Sequence, residues 1–165
     1  MILIGHSHII SQSFIHIDSM AKLEQVLKTP NEKKAQNHIF WFSASEDKDF
    51  SLSKFCAINN IDFAIAISNI KECILHEQYA PKYLIALTSF VPIFTKNNSK
   101  DSVSITSELI DFKESFNLAK TCQNIADSYL FDSKILAIIN SEEEIESIAL
   151  NCIDGAIFLS ALLPL

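Results

Sequence analysis

The sharpest chemical pattern in the chain is His6-Ser7-His8 near its start. In extended backbone, residues two apart project to the same side, so both imidazoles can approach one metal ion. Zinc or manganese held there would activate water for a small hydrolase or lyase-like reaction. Such a site needs a third ligand. His16, His38 and His76 fall in a strand interior, at a strand start and in a helix, which leaves Asp18, Glu46 and Asp47 as candidates. Two solvated or locally hydrogen-bonded histidines satisfy the same pattern.

A second group of chemistry-bearing residues shares one edge. In parallel α/β architectures ligands bind at the carboxyl ends of strands. The expected strands put Gly5, His6, His8, Ser43, Ser68, Thr88, Asn140 and Ser160 there. Ser43, Ser68, Thr88, Asn140 and Ser160 are therefore the candidate ligand-binding residues, although small polar side chains at such positions also serve as helix caps. The cofactor is left open. No G-x-S-x-G elbow occurs, and Gly5 and Gly155, the only glycines, cannot supply a P-loop or dinucleotide fingerprint. All 13 basic residues are Lys, so the planar guanidinium fork that clamps phosphates and carboxylates is missing. A formal charge of -7 argues against nucleic acid as partner, because affinity there comes mainly from neutralising phosphates.

The elements that must position these residues are legible in the hydrophobic pattern. The stretch from Lys134 to Leu159 reads as strand, helix, strand: an apolar run, a capping-box spacing from Ser141 to Glu144, a helical face of Ile145, Ile148, Ala149 and Cys152, then an Asp154-Gly155 turn into Ala156 to Leu159. Part of this unit is written twice. Asn59 to Ser68 aligns without a gap on Asn151 to Ser160 in the pattern N-x-I-D-x-A-I-x-x-S. A helix from Asn69 to Tyr79 followed by the strand Tyr83 to Leu87 is a looser third copy. Earlier strands are expected at Ile2 to Ile4, around Phe14 to Ile17, and at His38 to Phe42. Helices are expected from about Ser19 to Lys28, Phe50 to Asn59 and Glu108 to Tyr129. Pro30 to Asn37 reads as a surface loop. Phe90 to Ser107 lacks a clear period, apart from a small strand that Val103 and Ile105 can supply, and a connection of that length is more often a binding loop or a mobile segment. The four cysteines have no metal-ligand spacing and read as reduced core residues.

These observations predict one α/β domain over residues 1–165, with a mainly parallel sheet of six or seven strands and helices on both faces. An open, doubly wound sheet is favoured, and an incomplete or irregular βα barrel is the alternative. Ala149 to Leu162, ALNCIDGAIFLSAL, resembles the late helix-to-strand turn of phosphate-binding βα barrels such as the tryptophan-synthesis enzymes, which carry A-D-G-V-I-x-G-S-A there. The resemblance implies barrel-like architecture. Its phosphate-contacting Gly is replaced by Leu159, whose side chain would obstruct backbone approach to phosphate. The functional expectation is a non-enzymatic binding or interaction domain, taking a small-molecule ligand at the strand ends or self-associating through the apolar tail Leu162, Leu163 and Leu165. The alternative is the metal-assisted enzyme using His6 and His8. The N-terminal segment has no basic region ahead of its apolar residues and no run is long enough to span a bilayer, so a cytosolic location without membrane contact is expected.

Overall fold

The computed structural model of the chain describes residues 1–28, 38–88, 93–94, 103–104 and 110–162. The strands are β1 (Ile2–Ile4), β2 (Ser13–His16), β3 (His38–Ser43), β4 (Phe63–Ile67), β5 (Tyr83–Ala86), β6 (Ile93–Phe94), β7 (Val103–Ser104), β8 (Lys134–Ile139) and β9 (Gly155–Phe158). The helices are α1 (Met20–Lys28), α2 (Ser51–Ile58), α3 (Ile70–Glu77), α4 (Phe112–Tyr129), α5 (Ile145–Leu150) and α6 (Leu159–Leu162). Seven strands form one wholly parallel sheet in the order β1-β9-β8-β5-β4-β3-β2. This is the expected α/β fold.

From β2 to β9 the chain always steps to the adjacent position in the same direction. A doubly wound sheet reverses direction part-way and divides its helices between the faces. Here there is no reversal, so the order is that of the incomplete barrel and not the favoured doubly wound sheet. Right-handed crossovers then place the connecting helices on one side. Accordingly Leu23 of α1, Leu52 and Cys56 of α2, Cys73 of α3, Cys122 of α4 and Ile148 of α5 share one core with Phe42, Ile65, Leu84 and Ala137. The opposite, concave face buries Ile39, Trp41, Ala64, Ile85, Leu136 and Ile157 beneath Leu159 and Leu162 of α6. Burial on both faces explains why β3, β4, β5 and β8 are apolar runs without polar alternation.

A closed barrel would join β1 to β2. Instead these two strands are the sheet edges, β1 lying against β9. Residues 5–12 link the carboxyl end of β1 to the amino end of β2. Tyr83 on the concave face donates its hydroxyl to Gln12 Oε1 at 3.3 Å, which places the end of this link on that face. α6 also packs on β2. At Gly5, φ is +82° and an added Cβ would stand 2.7 Å from Ala161 Cβ. The seat of α6 thus depends on Gly5 having no side chain.

Two differences from expectation exceed one or two residues at an element's end. α4 is N-capped by Asp111, whose carboxylate accepts the Glu114 N–H at 2.9 Å, so this helix begins after the expected Glu108. The apolar C-terminal segment contains α6, which was not anticipated. Its Leu162 is buried inside the chain's own core, while Leu163 and Leu165 lie outside the described residues. The expected loop Pro30 to Asn37 lies outside them too, as does most of Phe90 to Ser107. Within the latter, β6 and β7 pair antiparallel, Ile93 opposite Ser104 and Phe94 opposite Val103. Among the described residues no helix is long and apolar enough to cross a membrane.

Candidate functional site

At the ends of β3, β4 and β8 the backbone N–H groups of the carboxyl edge are taken by the chain's own glutamates. After β3, the Ser43 N–H donates to Glu46 Oε2 at 2.8 Å. After β4, the Ser68 N–H and hydroxyl donate to Glu72 Oε2 at 2.7 and 3.0 Å. After β8, the Asn140 and Ser141 N–H groups both donate to Glu144 Oε1 at 3.0 Å. The last of these belongs to the expected capping box of Ser141 and Glu144, which opens a short 3-10 turn, Glu142–Glu144, before α5. At these three strand ends a carboxylate three to five residues beyond the strand therefore takes N–H groups that a bound phosphate would otherwise use.

The candidate ligand-binding residues are consequently dispersed among local roles. Ser43 Oγ lies 2.8 Å from Ser45 Oγ, and Ser68 is part of the α3 cap. Thr88 directs its N–H and hydroxyl to Ser115 Oγ of α4 at 3.2 and 3.1 Å. Asn140 is exposed, and Ser160 is an exposed residue of α6. Leu159 is 5% exposed and part of the concave core.

The histidine pair is close but internally engaged. The His6 and His8 ring centroids are 5.8 Å apart. His6 Nδ1 accepts the His8 backbone N–H at 3.2 Å, and His6 Nε2 lies 3.0 Å from Glu142 Oε1. Both ring nitrogens of His6 are thus engaged within the chain. The carboxylates considered as third ligands are held elsewhere: Glu46 and Asp47 face His16 and His76, and Asp18 accepts the Ser19 hydroxyl at 2.8 Å. Among the described residues no group of three His, Cys, Asp or Glu side chains is placed to hold a metal ion.

Two buried histidine–carboxylate pairs escaped the sequence reading. His16, the last residue of β2, lies tilted against Trp41 with ring centroids 4.6 Å apart and sets Nε2 3.1 Å from Glu46 Oε2. The Asp47 side chain, in the loop four residues before α2, is wholly buried. It accepts the Leu52 N–H at 2.8 Å and the Ser53 hydroxyl at 2.5 Å, and His76 Nδ1 of α3 lies 3.7 Å from its Oδ2. Burial holds His76 below the usual histidine range, with Asp47 and Glu72 acting in the opposite direction. Burial and the Asp47 charge push the neighbouring Cys56 thiol up to about 12, so it is protonated and unreactive at neutral pH. Thirty residues separate His16 from Glu46 and 29 separate Asp47 from His76. Only the strand pairing and the packing of α2 beside α3 bring them together.

Open space at the carboxyl edge lies beyond β8. A cleft of about 440 Å³ runs between α4 and the turn into α5, with Phe112, Phe116, Ile138 and Ile148 as apolar wall and Ser141, Ser147, Glu143 and Lys113 as polar lining. A second cleft, of about 420 Å³, lies at the amino edge beside Lys82 and Lys134. Lys82 is paired there with Asp62 at 2.8 Å, and Lys134 lies 3.9 Å from Asp154. In barrel-like sheets that edge serves stability and the carboxyl edge carries sites. No protein-family model matches the chain, and no curated protein does either.

Proposed function

We infer that the protein is a small-molecule binding domain without a catalytic centre of its own, and that its ligand occupies the cleft between α4 and the β8–α5 turn. The observation carrying this reading is the position of that cleft: it opens at the carboxyl end of a central parallel strand, where ligands of such sheets bind. Its lining, five apolar and five polar or charged residues, offers both apolar contact and fixed polar groups to a small ligand. Glu143 on the cleft wall and Glu144, whose carboxylate takes the strand-end N–H groups beside it, favour a neutral or cationic ligand over a phosphate ester.

The test is a two-dimensional NMR screen of small amines, neutral aromatics and phosphate esters. Amide shifts at Phe112, Phe116 and Ser147 with members of the first two sets, lost in Ser147→Trp, are the expected outcome. Shifts produced by phosphate esters alone, or by none of the three sets, would refute the reading.

Metal-assisted hydrolysis through His6 and His8 is the second reading. It is favoured by Glu142, which sets a carboxylate 3.0 Å from His6 Nε2. Zinc or manganese present at one equivalent in untagged protein, and absent after His6→Ala and His8→Ala together, would decide for it.

A further inference from the structure

Two histidines from different elements close on adjacent carboxylates of one loop. The loop leaves β3 at Ser43 and enters α2 at Ser51. Its Glu46 meets His16 of β2 at 3.1 Å, and its Asp47 meets His76 of α3 at 3.7 Å. Between Asp47 and α2, Asp49 and Phe50 hold φ of +54° and +57°. L residues avoid that region, and a bulky residue stays there only when its surroundings hold it. What holds Phe50 is ring packing: its ring lies 5.0 Å from His76 and 5.5 Å from Tyr79. We propose that this loop is an acid-released latch, in which protonation of His76 frees residues 47–53 from α3 while Ser43 and Glu46 keep the loop anchored to the sheet.

The physical reason is the poverty of the His76 site for a cation. Its side chain is 4% exposed and the Asp47 side chain 0%. Asp47 already accepts the Leu52 N–H, the Ser53 N–H and the Ser53 hydroxyl, at 2.8, 3.4 and 2.5 Å. Its 3.7 Å separation from Nδ1 gives attraction without a direct hydrogen bond. The other groups facing His76 are Ser53 of α2, whose hydroxyl lies 3.4 Å from Nδ1, the Phe50 ring, and Glu72 on its own helix. Loss of hydration outweighs the Asp47 and Glu72 charges, so an imidazolium is better accommodated in water than in this pocket. Any opening that hydrates His76 therefore takes up a proton, and acid shifts the population toward the open loop. The backbone at Asp49 and Phe50, released from its constraint, favours the same direction.

The latch is independent of the ligand cleft and is tested without a ligand. Hydrogen exchange of the full chain, followed by mass spectrometry at about pH 7.5 and about pH 5.5, spans the range where histidine titrates. After correction for the intrinsic pH dependence of exchange, protection of the segment from Asp47 to Ser53 should fall several-fold at the lower pH, with β4 and β5 unchanged. In His76→Gln the segment should exchange equally at both values. If that variant does not fold, NMR titration of the unmodified protein replaces it, with the His76 ring and the Phe50 amide expected to change over the same pH range. Unchanged protection in the unmodified segment, a parallel loss in β4 and β5, a decline that persists in His76→Gln, or a Phe50 amide indifferent to His76 would each overturn the proposal.

Discussion

Gly5 joins two requirements at one residue. Its φ of +82° disfavours any L side chain, and the 2.7 Å from an added Cβ to Ala161 leaves no room for one. Left-handed backbone costs a non-glycine residue about 1–2 kcal/mol, and overpacking adds about 1–3 kcal/mol. Gly5→Ala should thus lower unfolding free energy by about 2 kcal/mol or more in urea titration. A variant as stable as the original would mean that α6 shifts freely. His76 supplies the pH dependence at this scale. Its folded-state pKa lies below the ordinary value of 6.5, so the unfolded chain binds the proton more readily. The stability associated with neutral His76 is complete above that value and is lost as pH falls from it toward the lowered folded-state pKa. Urea midpoints at about pH 7.5 and about pH 5.5 should show a decline that His76→Gln reduces. Little of this residue-scale detail could be read in advance. His16 and His76 read in sequence as a strand and a helix residue poorly placed to join His6 and His8, and the carboxylates they meet, Glu46 and Asp47, come from another part of the chain.

At the scale of elements, the repeated pattern N-x-I-D-x-A-I-x-x-S proves to be a helix end. Asn59 and Asn151 both turn their side-chain amides back to the carbonyl four residues earlier, at 2.8 Å. Asn60 and Cys152, the next residues, take φ of +52° and +56°. The Ile61 and Ile153 N–H groups then bond to the carbonyls of Cys56 and Ile148, at 2.9 and 3.3 Å. This is the left-handed helix stop, ordinarily made by glycine. Ala80 and Leu130 adopt it after α3 and α4, with φ of +48° and +54°. A chain with two glycines places the conformation on Asn, Ala, Leu and Cys instead. Leu130 is 85% exposed, so its side chain contributes little packing. Leu130→Gly should raise stability by roughly 0.5–1 kcal/mol, since relief of the left-handed strain exceeds the flexibility glycine adds to the unfolded chain. Melting by calorimetry, rising by about 2 °C, would bear this out, and a fall would show that the Leu130 side chain has a role in packing. The repeat was visible in the sequence because the same stop and the same buried strand need the same residue types. Its left-handed residue was not, because Asn60 and Cys152 share no side-chain chemistry.

For the whole molecule, the strands were legible and their order was not. A strand covered on both faces is an apolar run whichever neighbour it has, so a singly wound half-barrel and a doubly wound sheet look alike in local pattern. The order appears only when β1 and β2 are seen as opposite edges. The same distinction changes the meaning of the C-terminal leucines. In an open sheet with helices already on both faces, Leu162 would be surplus and available to a second copy. In the half-barrel the concave face has no connecting helix among the described residues, and α6 covers it: Leu159 is 5% and Leu162 1% exposed, in one cluster with Trp41 and Ile157. Leu162→Ala should therefore cost about 2–4 kcal/mol, the usual loss for a buried leucine whose cavity only partly collapses. Sedimentation of the same variant separates the two roles. Reduced stability at unchanged mass assigns Leu162 to the fold alone. A shift to lower mass without loss of stability would return it to an interface, and the half-barrel would then lack the cover that α6 gives it.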